Sequence, residues 1–187
     1  MAFDYPIMLD LTDVPVLVVG GGRVAQRKVE GLLRAGADVT VVAPHIDDGV
    51  RGLPVRVVER SYEPRDLDHA RLVITATNEA AVNAVVSADA TRRGIWVNSA
   101  DDPANCTFTL PAVARDGDVT VAVATGGASP ALSSHLRGEI EAWLGEIGAG
   151  DAAATLAEQR AQLHAAGKST ESIDWSDRVR AALRDRP

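Results

Sequence analysis

The chain has 187 residues, 46% of them hydrophobic and 4% aromatic, and carries a formal net charge of −7. That length suits one medium domain with a smaller appendage, and the acidic balance argues against a nucleic-acid partner. A single cysteine, Cys106, excludes an internal disulfide and any cysteine-rich metal site, leaving a small buried hydrophobe or a lone nucleophile.

The first predicted strand, 14–19, runs straight into Gly20-Gly21-Gly22-Arg23-Val24-Ala25, a G-x-G-x-x-A turn. A helix over 24–35 follows, with Ala25, Val29, Leu32 and Leu33 on one stripe and Gly36 placed to stop it. Gly20 permits the tight turn, Gly22 admits a pyrophosphate close to the backbone, and Ala25 lets the helix pack on the strand. The helix start offers free N–H groups and a positive dipole end to phosphates. In this strand–turn–helix context the motif predicts a bound dinucleotide; the alternative is a glycine turn with a purely structural role.

Further strands are expected at 38–42, 55–58, 72–76 and 95–99, with a helix over 79–93 closed by Gly94. Alternating strands and helices imply an α/β fold with right-handed crossovers and a parallel sheet. Past residue 100 the pattern changes. Two β-rich runs, 107–114 and 118–124, flank Arg115-Asp116-Gly117 as a hairpin. Ser129 is an expected N-cap, with Pro130 at the first position of a helix reaching about residue 147. After Gly148-Ala149-Gly150 the chain is Ala-rich, charged and helical, and Ser169-Thr170-Glu171-Ser172 is the expected start of a last short helix.

No apolar run is long enough for a membrane helix. Met1-Ala2-Phe3-Asp4-Tyr5-Pro6 lacks the basic and apolar regions of a secretory signal, so a cytoplasmic protein without a membrane partner is expected.

In open α/β sheets, ligands sit at the carboxyl ends of the strands. There the second strand ends Ala43-Pro44-His45 without the usual ribose-binding acid, although Asp47 and Asp48 follow closely. No Arg stands at this tip to favour a 2′-phosphate, so NAD is preferred over NADP. Thr75, Thr77 and Asn78 end the fourth strand as candidate cofactor contacts, Asn78 being equally suited to cap the next helix. The fifth strand delivers Asn98-Ser99-Ala100-Asp101-Asp102-Pro103 to the same edge. A carboxylate there suits proton transfer, yet an Asp pair before Pro is also a common turn former. His45, His69, His135 and His164 have no metal-ligand spacing, and no dedicated metal site is expected.

Together these blocks resemble the siroheme synthase N-terminal family of precorrin-2 dehydrogenases, some of which are also sirohydrochlorin ferrochelatases. The resemblance rests on Pro6-Ile7-Met8-Leu9-Asp10-Leu11, the glycine block extended to Gln26-Arg27-Lys28, Val97-Asn98-Ser99-Ala100-Asp101-Asp102-Pro103, and Ala124-Thr125-Gly126-Gly127-Ala128-Ser129-Pro130. It spans about residues 5–145 and fades beyond 150. Departures are Ser99, where the family usually has a β-branched residue, and Thr125, a serine in some relatives.

The resemblance implies a Rossmann domain over 1–112, a dimerisation segment over 113–147 that interlocks two subunits, and a helical C-terminal domain over 148–187. It implies NAD contacts at Gly20, Gly22, Arg23, Val24, Pro44 and His45, and makes Asp101 the catalytic group. The reaction would oxidise precorrin-2 to sirohydrochlorin, with ferrous iron a substrate where chelatase activity is present. That tetrapyrrole bears eight carboxylates, so a local basic set is needed on an acidic protein. Arg27, Arg115 and Arg137 are the candidates beside Arg23, with Gly126-Gly127 offering backbone N–H groups. The methyltransferase domain fused to this module in some relatives is not in this chain, so precorrin-2 is expected from a separate enzyme. A non-enzymatic NAD-sensing module and an NAD-dependent reductase of another small acidic substrate are the competing readings.

Overall fold

The computed structural model describes residues 5–171 and 173–183. Residues 1–4 of the opening segment and Ser172 of the expected last helix start lie outside them. The chain forms two compact units, one ending at Leu110 and one beginning at Pro111.

The first unit is built on five parallel strands: β1 (Pro15–Val19), β2 (Asp38–Ala43), β3 (Arg56–Glu59), β4 (Leu72–Thr75) and β5 (Trp96–Ser99). Their order is β3-β2-β1-β4-β5, so the chain reverses direction across the sheet between β1 and β4. β-Branched residues fill both faces because both are covered. Val16 and Val18 pack with Ala25, Val29 and Leu32 of α1 (Arg23–Arg34) and Val50 of α2 (Asp48–Arg51). Leu17 and Val19 point the other way, joining Val86 and Ala90 of α3 (Ala80–Arg92) and Leu67 of a short 3-10 turn at Pro64–Leu67. Short turns such as α2 carry too few residues to show a helical period, and the sequence reading misses them.

The second unit pairs β6 (Ala112–Asp116) with β7 (Val119–Val123) in an antiparallel hairpin. It continues through α4 (Pro130–Ile147), α5 (Ala149–Ala165) and α6 (Ser176–Ala182). Ala114, Leu144 and Ala149 form its core with Val119, Val121, Ile140 and Ile147. Gly148, at φ +64°, turns the chain between α4 and α5. The Gly150 N–H donates to Asp116 Oδ2 at 2.8 Å, tying the start of α5 to the hairpin.

Two expectations need correction. The first hairpin strand starts at Ala112, not 107, because Thr107 is engaged with β5: its N–H donates to the Val97 carbonyl at 2.8 Å and its Oγ1 accepts the Val97 N–H at 2.8 Å. The last helix starts at Ser176, not in 169–172. The Thr170 hydroxyl lies 3.3 Å from His164 Nε2, its carbonyl accepts the Trp175 indole N–H at 3.4 Å, and Asp174 Oδ1 accepts the Ser176 N–H at 2.9 Å. Among the described residues, no helix is long and apolar enough to cross a membrane.

Candidate active site

The three glycines after β1 have different surroundings. Gly20 sits at φ +126°, and a Cβ there would lie 2.4 Å from the Ala76 carbonyl oxygen. A Cβ on Gly21 would lie 2.2 Å from the His45 carbonyl oxygen. The Gly20 N–H donates to the Val42 carbonyl, and the Gly21 carbonyl accepts the Asp47 N–H, both at 2.9 Å. These two glycines are therefore required by protein packing. Gly22 is not: the nearest atom to its absent Cβ is Asp47 Oδ2 at 3.8 Å. It is also the N-cap of α1, where no side chain caps the first turn and no acid stands in it. An open glycine before an uncapped, acid-free helix start fits a dinucleotide diphosphate.

Around this loop, Arg23 is exposed and Val24 half-buried, while Pro44 and His45 are exposed at the tip of β2. His45 Nε2 lies 3.6 Å from Asp47 Oδ1. Asp47, weighed above as a stand-in for the missing strand-end acid, is thus the carboxylate that faces Gly22.

The tip of β4 divides its polar groups. Thr75 is fully buried, and its hydroxyl donates to Ser99 Oγ at 2.9 Å. Thr77 Oγ1 accepts the Glu79 N–H at 3.1 Å and lies 2.8 Å from Asn83 Oδ1, so Thr77 shapes the entry to α3. Asn78 is exposed and is not the cap of α3, whose N-cap is Glu79. This corrects the capping alternative for Asn78 and leaves its amide facing solvent at the sheet edge.

The loop after β5 separates the two aspartates that sequence could not tell apart. Asp102 Oδ2 accepts the Asn105 side-chain N–H at 2.6 Å, so Asp102 forms the turn. Asp101 is exposed, adopts a left-handed φ of +60°, and accepts no hydrogen bond from any described residue. That backbone state costs a non-glycine residue about 1 kcal/mol, though Asp tolerates it better than most. Hydrogen bonds on both sides hold it: Ala100 N–H to the Thr75 carbonyl at 2.9 Å, and Asp102 N–H to the Ser99 carbonyl at 3.3 Å. Cys106 Sγ fills the inside of the loop, accepting the Ser99 N–H at 3.1 Å and lying 3.3 Å from the Ser99 and Asp102 carbonyls. Burial pushes its thiol above the ordinary range. Cys106 is therefore a neutral buttress rather than a nucleophile.

Lys28 follows Arg27 in the motif. It is half-buried on α1. Its charge stands at the border of the Ala25–Val29–Leu32 stripe. Arg27, next to it, is exposed. A depression of about 1180 Å³ in this unit lies at the opposite edge of the sheet, among Val14, Pro15, Leu72 and Trp96, away from all these groups.

In the second unit, Gly126 and Gly127 adopt φ +59° and +85°, with nothing within 4 Å of a Cβ on either. Hydroxyls anchor the loop that carries them. Thr125 Oγ1 accepts the Ser129 N–H at 3.1 Å and the Ser133 hydroxyl at 3.2 Å, and Ser129 Oγ accepts the Leu132 N–H at 3.2 Å. Arg115 is exposed on β6, and Arg137 forms an ion pair with Glu141 one turn along α4. Among the described residues, no group of His, Cys, Asp and Glu could hold a metal ion.

The chain is similar to known proteins over most of its length. The profile of a putative NAD(P)-binding family matches residues 7–112, and that of the sirohaem biosynthesis protein central region matches 116–142. Siroheme synthase of Methylococcus capsulatus is 48% identical over 144 residues, covering 74% of this chain and 30% of that protein. Siroheme synthase of Acinetobacter baylyi is 39% identical over 185 residues, covering 96% of this chain and 36% of that protein. The chain thus spans about a third of the length of these curated relatives. A solved structure of SirC, a precorrin-2 dehydrogenase, aligns with a TM-score of 0.72 and 28% identity, over 97% of this chain and 90% of that one. The chain belongs to the putative NAD(P)-binding family and carries, behind that module, the central segment of sirohaem biosynthesis proteins.

Proposed function

We propose that this protein is an NAD-dependent precorrin-2 dehydrogenase that produces sirohydrochlorin in the cytoplasm. One observation carries the reading: an open Gly22 at an uncapped, acid-free helix start shares the carboxyl edge of the sheet with an exposed aspartate that no described residue hydrogen-bonds. The SirC structure and the siroheme synthases support the choice of substrate.

The first-turn N–H groups of α1 hold the diphosphate, with Gly20, Gly22, Arg23 and Val24 at the turn, Pro44 and His45 at the tip of β2, and Thr77 and Asn78 at the tip of β4. Thr75 supports this floor from beneath. Asp47 takes the ribose hydroxyls, which favours NAD over a 2′-phosphorylated cofactor. NAD, when bound, supplies the hydride acceptor. Asp101 takes the proton that leaves the substrate and, being exposed, passes it to water.

Arg27, exposed on α1, is a proposed contact for a substrate carboxylate. Ferrous iron, where it enters the product, enters as a substrate. A homodimer through 113–147 is supported by Leu132 and Leu136, one turn apart on α4 and 48% and 39% exposed. The helical C-terminal part comprises α5 and α6.

The test is an anaerobic assay with precorrin-2 and NAD, following NADH and sirohydrochlorin absorbance together. Turnover is expected. NAD binding without turnover, where a known dehydrogenase works, would instead favour a sensing module. Asp101→Asn should lower turnover by about a hundredfold or more, the usual loss of a general base, while NAD affinity stays unchanged.

A further inference from the structure

Resting on the dehydrogenase reading, we propose that Asn105 is a positioning residue for the reaction: through Asp102 it holds the turn that presents Asp101 to the substrate.

Asp101 is the third residue of a tight turn from Ser99 to Asp102, closed by the Asp102 N–H to the Ser99 carbonyl at 3.3 Å. Its φ of +60° is one that such a turn ordinarily gives to glycine or asparagine. The closing bond is long, so by itself it holds the left-handed backbone weakly. An aspartate there relaxes toward negative φ unless opposed, and that rotation swings its carboxylate to a new direction.

The residues after Asp101 supply the opposition. Pro103 opens a 3-10 turn at Pro103–Asn105. An aspartate in front of such a turn ordinarily caps its first N–H groups. Asp102 makes no side-chain cap bond. Instead its Oδ2 accepts the Asn105 side-chain N–H at 2.6 Å, and its carbonyl accepts the Asn105 backbone N–H at 3.1 Å. One residue thus clamps Asp102 by both its side chain and its main chain.

Asn105 is itself anchored. Cys106, which follows it, is buried with its Sγ among backbone groups of Ser99 and Asp102, and Thr107 is paired with Val97 of β5. The clamp therefore ties the turn bearing Asp101 to the edge of the sheet. A hydrogen bond to a charged acceptor outweighs the cost of one left-handed aspartate, so the clamp suffices to hold the geometry. It also occupies the neighbouring carboxylate, leaving Asp101 as the exposed acid of the pair.

The test measures turnover and binding in the full-length protein. Asn105→Ala and Asp102→Ala break the clamp from either side. Each should lower kcat for precorrin-2 oxidation about tenfold or more, the effect of a base moved from its productive position. KM for precorrin-2 and the NAD Kd should stay near those of the unaltered protein. Asp102→Asn keeps an acceptor for the Asn105 amide and should retain most of the turnover. Asp101→Asn has no base to misplace, so adding Asn105→Ala to it should cost nothing further.

An unchanged kcat in Asn105→Ala overturns this inference and leaves the dehydrogenase reading standing. So does an equal loss with and without Asp101→Asn, or failure of both clamp variants to fold, since either assigns the clamp to the fold alone. Full turnover in Asp101→Asn overturns it together with the choice of base. Absence of turnover in the unaltered protein overturns it together with the dehydrogenase reading itself.

Discussion

Two glycine-rich loops in this chain each lead into a helix, and they treat the helix start in opposite ways. Gly20-Gly21-Gly22 is packed at its first two residues and open at the third, and α1 begins without a side-chain cap. Thr125-Gly126-Gly127-Ala128-Ser129 is open at both glycines, while Ser129 caps α4 and Pro130 occupies its first position. The first loop leaves backbone donors to a ligand; the second satisfies them within the chain. A glycine-rich turn before a helix is therefore not by itself an anion site. What matters is whether the cap is left open.

The largest expected effect tests the packed part of the first loop. In Gly20→Ala the new Cβ meets a backbone oxygen at 2.4 Å, at a φ of +126° that side chains avoid. Overpacking and backbone strain together should cost about 3 kcal/mol or more, read as a lowered urea midpoint. A stability close to the unaltered protein would show that the close approach of β4 to this loop is not rigid.

Gly22 should respond differently. Its φ of −93° suits any residue, and space surrounds its missing Cβ. Gly22→Ser converts the first loop to the capped design of the second. Stability should stay level or rise by about a few tenths of a kcal/mol. NAD affinity should fall about tenfold or more, because the new side chain stands where the diphosphate approaches and competes for the first-turn N–H groups. Unchanged NAD affinity, measured by NADH fluorescence titration, would move the diphosphate away from this turn.

The contrast also marks how far sequence reasoning reaches. The strand–turn–helix around Gly20 and the Ser129-Pro130 cap were legible because each depends on residues within one turn of each other. The roles of Asp101 and Asp102 were not. Both precede Pro103, and their difference comes from the Asn105 amide and from a loop folded around the Cys106 thiol. Thr75 looked available because it ends a strand, yet its register opposite Ser99 turns the hydroxyl into the interior. The competition between Thr107 pairing with β5 and extending the hairpin was likewise settled by a tertiary contact.

The smallest expected effect lies in the second loop. Ser129→Ala removes the Oγ that accepts the Leu132 N–H at 3.2 Å. Thr125 Oγ1 and Ser133 still hold the loop through the Ser129 backbone, since Thr125 receives the Ser129 N–H and Ser133 Oγ reaches the Ser129 carbonyl at 3.3 Å. The loss should therefore be that of an ordinary cap, about 1 kcal/mol, seen as a small shift in the denaturation midpoint. NAD affinity should not move, because the cofactor site belongs to the other loop. A drop in NAD affinity as large as that expected for Gly22→Ser would mean that the capped helix start also contributes to the cofactor site. The difference between an open and a closed helix start would then lose its power to locate the dinucleotide.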